Sequence, residues 1–97
     1  MFVPNQPIAL THLLSAFVAE QGLKPKMDAA RAVEGWATVA GPRICAQTES
    51  VRLRGDVLTV RITSAAWRHT LHMQRNAWRD RLNDHLGEAV VEAIEFR

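Results

Sequence analysis

Apolar positions recur with the period of a helix in three regions of the chain and alternate as in a strand in two. Leu10, Leu13, Leu14, Phe17 and Val18 stand at i, i+3, i+4, i+7 and i+8, which predicts an amphipathic helix over residues 8–21, closed by Gly22. After "LKPKM" a second helix carries Val33, Trp36, Ala37, Ala40 and Ile44 on one face. Gly41-Pro42 should kink or break it, because Pro42 has no backbone N–H to donate, and a helical turn resumes over residues 43–47. A third, long helix is predicted from Ala65 to Leu86 and ends at Gly87. On it Trp67, Leu71, Trp78 and Leu82 lie within roughly 60° of one another on the helical wheel, a core-facing stripe.

The alternating stretch "ESVRLRGDVLTVRITS" reads as a hairpin, with Gly55-Asp56 as a two-residue turn of the type that puts glycine first. That register sets Leu53 opposite Leu58 and Val51 opposite Val60 on one face. Arg52 then lies opposite Thr59 on the other face, joined by Arg54, Arg61 and Thr63. The tail "AVVEAIEFR" is rich in β-branched and aromatic residues and predicts a last strand, although Glu92 disturbs its alternation. The expected order is α-α-β-β-α-β, a two-layer α+β domain with its helices packed on one face of a small sheet.

A chain of 97 residues has room for one core, so residues 1–97 are read as a single domain whose three tryptophans help to fill it. The single Cys45 excludes an intramolecular disulfide and fits a reducing cytoplasm. No motif frames it as a nucleophile, so a small buried residue is the expected role. The run "IALTHLLSAFVA" lacks the basic flank of a secretory signal, since no Lys or Arg precedes Lys24, and His12 interrupts it. No segment is long enough to span a bilayer. A soluble cytoplasmic protein without membrane contact is expected.

Charge changes the picture more than composition does. Residues 1–51 hold four basic and four acidic side chains, whereas residues 52–81 hold seven arginines against Asp56 and Asp80, a local excess of +5. All seven are arginine, whose forked donors suit phosphate oxygens better than a lysine point charge does. The excess points to a polyanionic partner.

Two surfaces could carry it. The outward face of the hairpin offers Arg52, Arg54 and Arg61, with Arg97 beside them on the last strand. No aromatic residue is expected there, so binding would be directed at phosphates and indifferent to base sequence. The alternative is a solvated face kept charged to prevent edge pairing. On the long helix, Arg68, His72, Arg75 and Arg79 form a second stripe beside the core face, free of acids, with Asp80 and Asp84 about 100° or more away on the wheel. Its alternative is an outer face whose arginines cover the tryptophan edges.

Other groupings point to structure. Trp36, Trp67 and Trp78 are spaced with leucines and alanines as core residues rather than as base-stacking platforms. His69 and His72 have no third ligand at metal spacing. Asp80, Asp84 and Glu88 form a ridge of the kind found on solvated helix faces, and Asn83 near a helix end is placed to satisfy local backbone. There is no G-x-S-x-G, no P-loop and no pair of carboxylates framed by histidine. No catalytic residue, metal, cofactor or small-molecule substrate is expected, and the chain is read as a non-enzyme.

In this order the chain resembles the bacterial DciA-like family. The resemblance runs through "GWATVAG", then Ile44 and Thr48, through "LRGDVLTVRITSAAWRHTL", and on to "LNDHLG" and "IEFR". It covers almost the whole sequence. It implies a KH-like fold and a protein that acts with the DnaB-type replicative helicase, helps load it onto DNA at replication initiation, and binds DNA itself. No G-x-x-G occurs, so the backbone clamp of nucleic-acid-binding KH domains is absent. Many members continue past the last strand into a polar C-terminal extension that this sequence does not reach. Two functions are therefore carried forward. The first is a non-catalytic adaptor that binds single- or double-stranded DNA and the DnaB-type helicase; the second is a general RNA-binding KH-like module acting on ribosomal or small RNA.

Overall fold

The computed structural model describes residues 23–97. The predicted helix over residues 8–21 lies outside them. Helix α1 (Leu23–Ala46) is followed by strands β1 (Thr48–Arg54) and β2 (Val57–Ile62), helices α2 (Ala65–Met73) and α3 (Arg75–Leu86), and strand β3 (Ala93–Phe96). The architecture is α+β, with three helices and a three-stranded mixed sheet. The strand order is β1-β2-β3, β2 pairing antiparallel with β1 and parallel with β3.

Helix α1 already includes "LKPKM" rather than following it. Pro25 falls in the first turn, where a missing N–H leaves no helical bond unmade. Gly41 takes φ 82° and ψ 173° ahead of Pro42, so the axis bends there and Ile44 is redirected into the core. The buried face differs in one respect from the expected one. Ala37 is exposed, while Ala32 and Gly35 are buried beside Trp36. Gly35 is required by packing: a Cβ there would stand 3.1 Å from methyl carbons of both Leu82 and Leu86. That contact lets α1 and α3 lie close together. Arg31 reinforces it, donating to Glu88 and to the Leu86 carbonyl, each at 2.7 Å.

The hairpin has the expected register, with Leu53 opposite Leu58, Val51 opposite Val60 and Arg52 opposite Thr59. Gly55 alone carries positive φ in the turn, at 61°, as a glycine-first turn requires. One irregularity has no signal in the sequence: the register shifts between Thr48 and Ser50, a bulge that inserts Glu49. The last strand is shorter than the apolar tail implies. Val90 and Val91 stay in the preceding loop, where Asn83 holds Val91 through both its N–H (3.0 Å) and its carbonyl (2.8 Å). Asn83 thus satisfies local backbone, as its place near the helix end implies.

The predicted single helix over residues 65–86 is two. Ser64 caps α2, its Oγ accepting from the Trp67 N–H at 3.3 Å. At Gln74 the backbone tightens to a three-residue hydrogen bond, Gln74 N to Leu71 O at 3.0 Å, before α3 starts on the Gln74 carbonyl. No glycine or proline marks the break. Its cause is tertiary: α2 packs against β2 and β3, whereas α3 packs against α1 and β3, and one straight axis does not serve both. Trp78 begins the second axis, its Nε1 donating to Gln74 Oε1 at 3.2 Å.

The core fills the space between the helices and one sheet face. Trp36 lies at its centre, 5.5 Å from Trp78 in an edge-on arrangement and 5.7 Å from Phe96. Leu58, Val60, Ile62, Leu71, Leu82, Val91 and Ile94 complete it, and Trp67 is half-buried at its margin. Among the described residues no helix packs on the other sheet face.

Candidate nucleic-acid interface

Strand alternation builds the open face in three rows. Arg54 sits beside Val57 and Ala93, Arg52 beside Thr59 and Glu95, and Ser50 beside Arg61. Arg97 follows that last row, because its N–H donates to Val60 O at 2.9 Å and its carbonyl accepts from Ile62 N–H. Successive rows are about 7 Å apart, two residues of strand rise. Together they line a shallow depression of about 530 Å³. Four arginines face two acids there. Arg97 Nη2 is 3.0 Å from Glu95 Oε2, and Arg61 Nε is 4.0 Å from Glu49 Oε2, at the limit of pairing. Arg52 and Arg54 are exposed and meet no acid or acceptor among the described residues. The two glutamates are the feature that charge counting misses. Glu95 is legible by alternation from Arg97, whereas Glu49 reaches Arg61 next to a bulge that no local signal announces.

The helical stripe does not assemble as a free basic surface. Arg68 is half-buried and its Nη2 donates to the carbonyl of Ile62, at the end of β2, at 3.1 Å. Arg79 is also half-buried; its Nε pairs with Asp80 at 3.0 Å and its Nη1 reaches the Glu92 carbonyl at 3.4 Å. The expectation that the stripe is free of acids is corrected here. Asp80 is far from Arg79 on the wheel, but a long arginine reaches its sequence neighbour easily. Arg75 is exposed and donates to the His72 carbonyl at 3.1 Å. The break at Gln74 puts Arg68 and His72 on one axis and Arg75 and Arg79 on another.

The remaining groups hold structural partners. Arg81 lies over the Trp78 ring, 4.9 Å from its centroid, shielding the margin of the core. Glu88 pairs with Arg31 and faces Lys24 at 3.8 Å, and Asp80 is taken by Arg79, so two of the three acids of the ridge are paired. Among the described residues no three His, Cys, Asp or Glu side chains converge as metal ligands. No helix among the described residues is long and apolar enough to cross a membrane. Cys45 is half-buried, its Sγ 3.4 Å from the Ala37 carbonyl.

What the open face can do chemically follows from this arrangement. It offers guanidinium forks on a rigid, ladder-bonded sheet, with Ser50 and Thr59 hydroxyls between them and no aromatic ring. Such a face can hold phosphates and has nothing with which to stack bases or read their edges.

Residues 9–96 match the model of the family described as "Dna[CI] antecedent, DciA". A UPF0232 protein of Rhodococcus jostii (strain RHA1) is 28% identical over 84 residues, a stretch that makes up 87% of this chain and 45% of that relative. The chain therefore spans less than half the length of the relative it matches.

Proposed function

The chain belongs to the DciA family, and we propose that it is a non-catalytic, KH-like adaptor that binds single-stranded DNA through the open face of its sheet and acts with the DnaB-type replicative helicase. The observation that carries the DNA reading is the pair Arg52 and Arg54, exposed on adjacent rows of a rigid face without an acid partner among the described residues. Arg61 and Arg97 extend the same surface, each beside a glutamate that an incoming phosphate can displace. The helicase reading rests on the family, whose description places it as an antecedent of Dna[CI]. The α-β-β-α-α-β order around a mixed three-stranded sheet supports the KH-like reading. Without a G-x-x-G loop, phosphate contacts on the sheet take the place of the backbone clamp. A cytoplasmic location follows from such a role.

The test has two arms. Labelled single-stranded DNA is titrated with the protein and challenged with unlabelled DNA or RNA of equal length. The proposal expects saturable binding that DNA displaces at least as well as RNA. Displacement by RNA alone would make the protein an RNA-binding module instead. In the second arm, the cognate purified helicase is passed over immobilised protein, and no binding at tens of micromolar would remove the helicase from the reading.

A further inference from the structure

Among the described residues strand β3 is an edge of the sheet, and its hydrogen bonds divide by residue. Arg97 bonds β2 through both its N–H and its carbonyl, and Ala93 N–H reaches Asp56 O at 3.4 Å. In a parallel ladder of this register Ala93, Glu95 and Arg97 face β2, and the main-chain groups of Ile94 and Phe96 point away from it. The side chains of these two residues are in the core, yet both residues line a groove of about 410 Å³ beside β3. As whole residues Ile94 is 3% and Phe96 7% exposed, so what reaches that groove is a narrow strip of their main chain. No hydrogen bond from other described residues reaches these two N–H and two C=O groups. The opposite wall is the α2–α3 junction, with His72, Arg75 and Asn76.

We infer that this groove docks an extended peptide, which adds a strand to β3 and sets an acidic side chain against Arg75 and His72. Three occupants compete for such an edge, and the chemistry selects one. Two N–H donors and two C=O acceptors in alternation match a peptide backbone, which supplies both. A DNA backbone has acceptors only and leaves the carbonyls of Ile94 and Phe96 unmet. A second copy of this edge would bring Arg75 against a second Arg75, Arg97 being already paired with Glu95, and like charges facing each other oppose pairing. Arg75 spends one N–H on the His72 carbonyl and retains the others of its fork for a carboxylate. The groove meets the DNA-binding face only at Glu95 and Arg97, which line both, whereas Arg52, Arg54 and Arg61 contribute nothing to the groove.

A displayed library of random peptides, selected on the full chain, tests this and needs no identified partner. Enriched peptides should carry Asp or Glu within an alternating stretch. A synthetic copy of one, titrated into isotope-labelled protein, should shift the amide signals of Ile94 and Phe96 and slow their hydrogen exchange. Arg75→Glu should weaken that peptide about tenfold or more with the melting temperature unchanged, because the side chain is exposed. The double variant Arg52→Glu/Arg54→Glu should bind the peptide as wild type does. The inference is overturned if no peptide is enriched, if enriched peptides bind Arg75→Glu equally well, or if the protected amides lie on another element. A thymidine oligonucleotide that shifts the same Ile94 and Phe96 amides would overturn it too, and would assign the groove to DNA.

Discussion

On the open face of the sheet, Arg52 and Arg54 project from alternate positions of one strand and meet no acceptor among the described residues. On the two helices, Arg68, Arg75 and Arg79 each reach a backbone carbonyl. Both sets look alike in the sequence: arginine-rich, regularly spaced, beside an apolar stripe. The difference lies in where unpaired carbonyls are. Within a sheet the ladder uses them, and side chains stand nearly perpendicular to the strands, so a face arginine finds none. A helix leaves its last four carbonyls without an intrahelical donor, and strand ends and loops leave others. His72 O lies at the end of α2, Ile62 O at the end of β2, and Glu92 O in the loop before β3. Arginines of the helical stripe fall beside all three. Charge in a sequence is therefore not all available to a ligand: Arg68 and Arg79 are half-buried against their carbonyls, whereas Arg75 is exposed and keeps the rest of its fork free.

The comparison can be broken at several depths. The largest effect should come from beneath the stripe. Trp78→Ala removes the contact with Trp36 that seats α3 and should cost about 3–5 kcal/mol in denaturant unfolding. A much smaller cost would mean that α3 is held by its surface arginines after all. Next is Arg68→Ala, which leaves the Ile62 carbonyl without its donor and should cost about 1–2 kcal/mol. Arg79→Ala is expected to follow at no more than about 1 kcal/mol, its pair with Asp80 being partly screened by solvent. The pair Arg52→Ala/Arg54→Ala should be the mildest, within about 0.5 kcal/mol of wild type. If the sheet pair costs as much as Arg68, the division between structural and available arginines fails.

Much of the fold is legible in the sequence because turn chemistry and alternation agree. Gly55-Asp56 with period-two alternation defines the hairpin register, and Gly41-Pro42 announces the bend of α1. The break at Gln74 is not legible. It arises from α2 and α3 packing on different partners, and Gln74 has no intrinsic reason to end a helix. Ala37 falls on the wrong face of the expected helix for a related reason. The packing of Gly35 on Leu82 and Leu86 sets which way α1 faces, and a glycine adds nothing to an apolar count. The sheet side of the candidate site follows from the hairpin. The helix side does not, because a helical wheel shows directions around one axis and says nothing of a carbonyl on the next element. The groove along β3 depends on which main-chain groups a parallel ladder leaves over, a property of pairing that residue types do not encode.

The most direct test is the salt dependence of single-stranded DNA binding for two paired variants. Each true phosphate contact removed should flatten the slope of log affinity against log salt by about 0.7 on a single strand. Arg52→Ala/Arg54→Ala should therefore lose about 1.4 of slope while keeping its stability, and Arg68→Ala/Arg79→Ala should keep the wild-type slope despite being less stable. A wild-type slope in the sheet variant, with the loss appearing in the helix variant, would contradict the account.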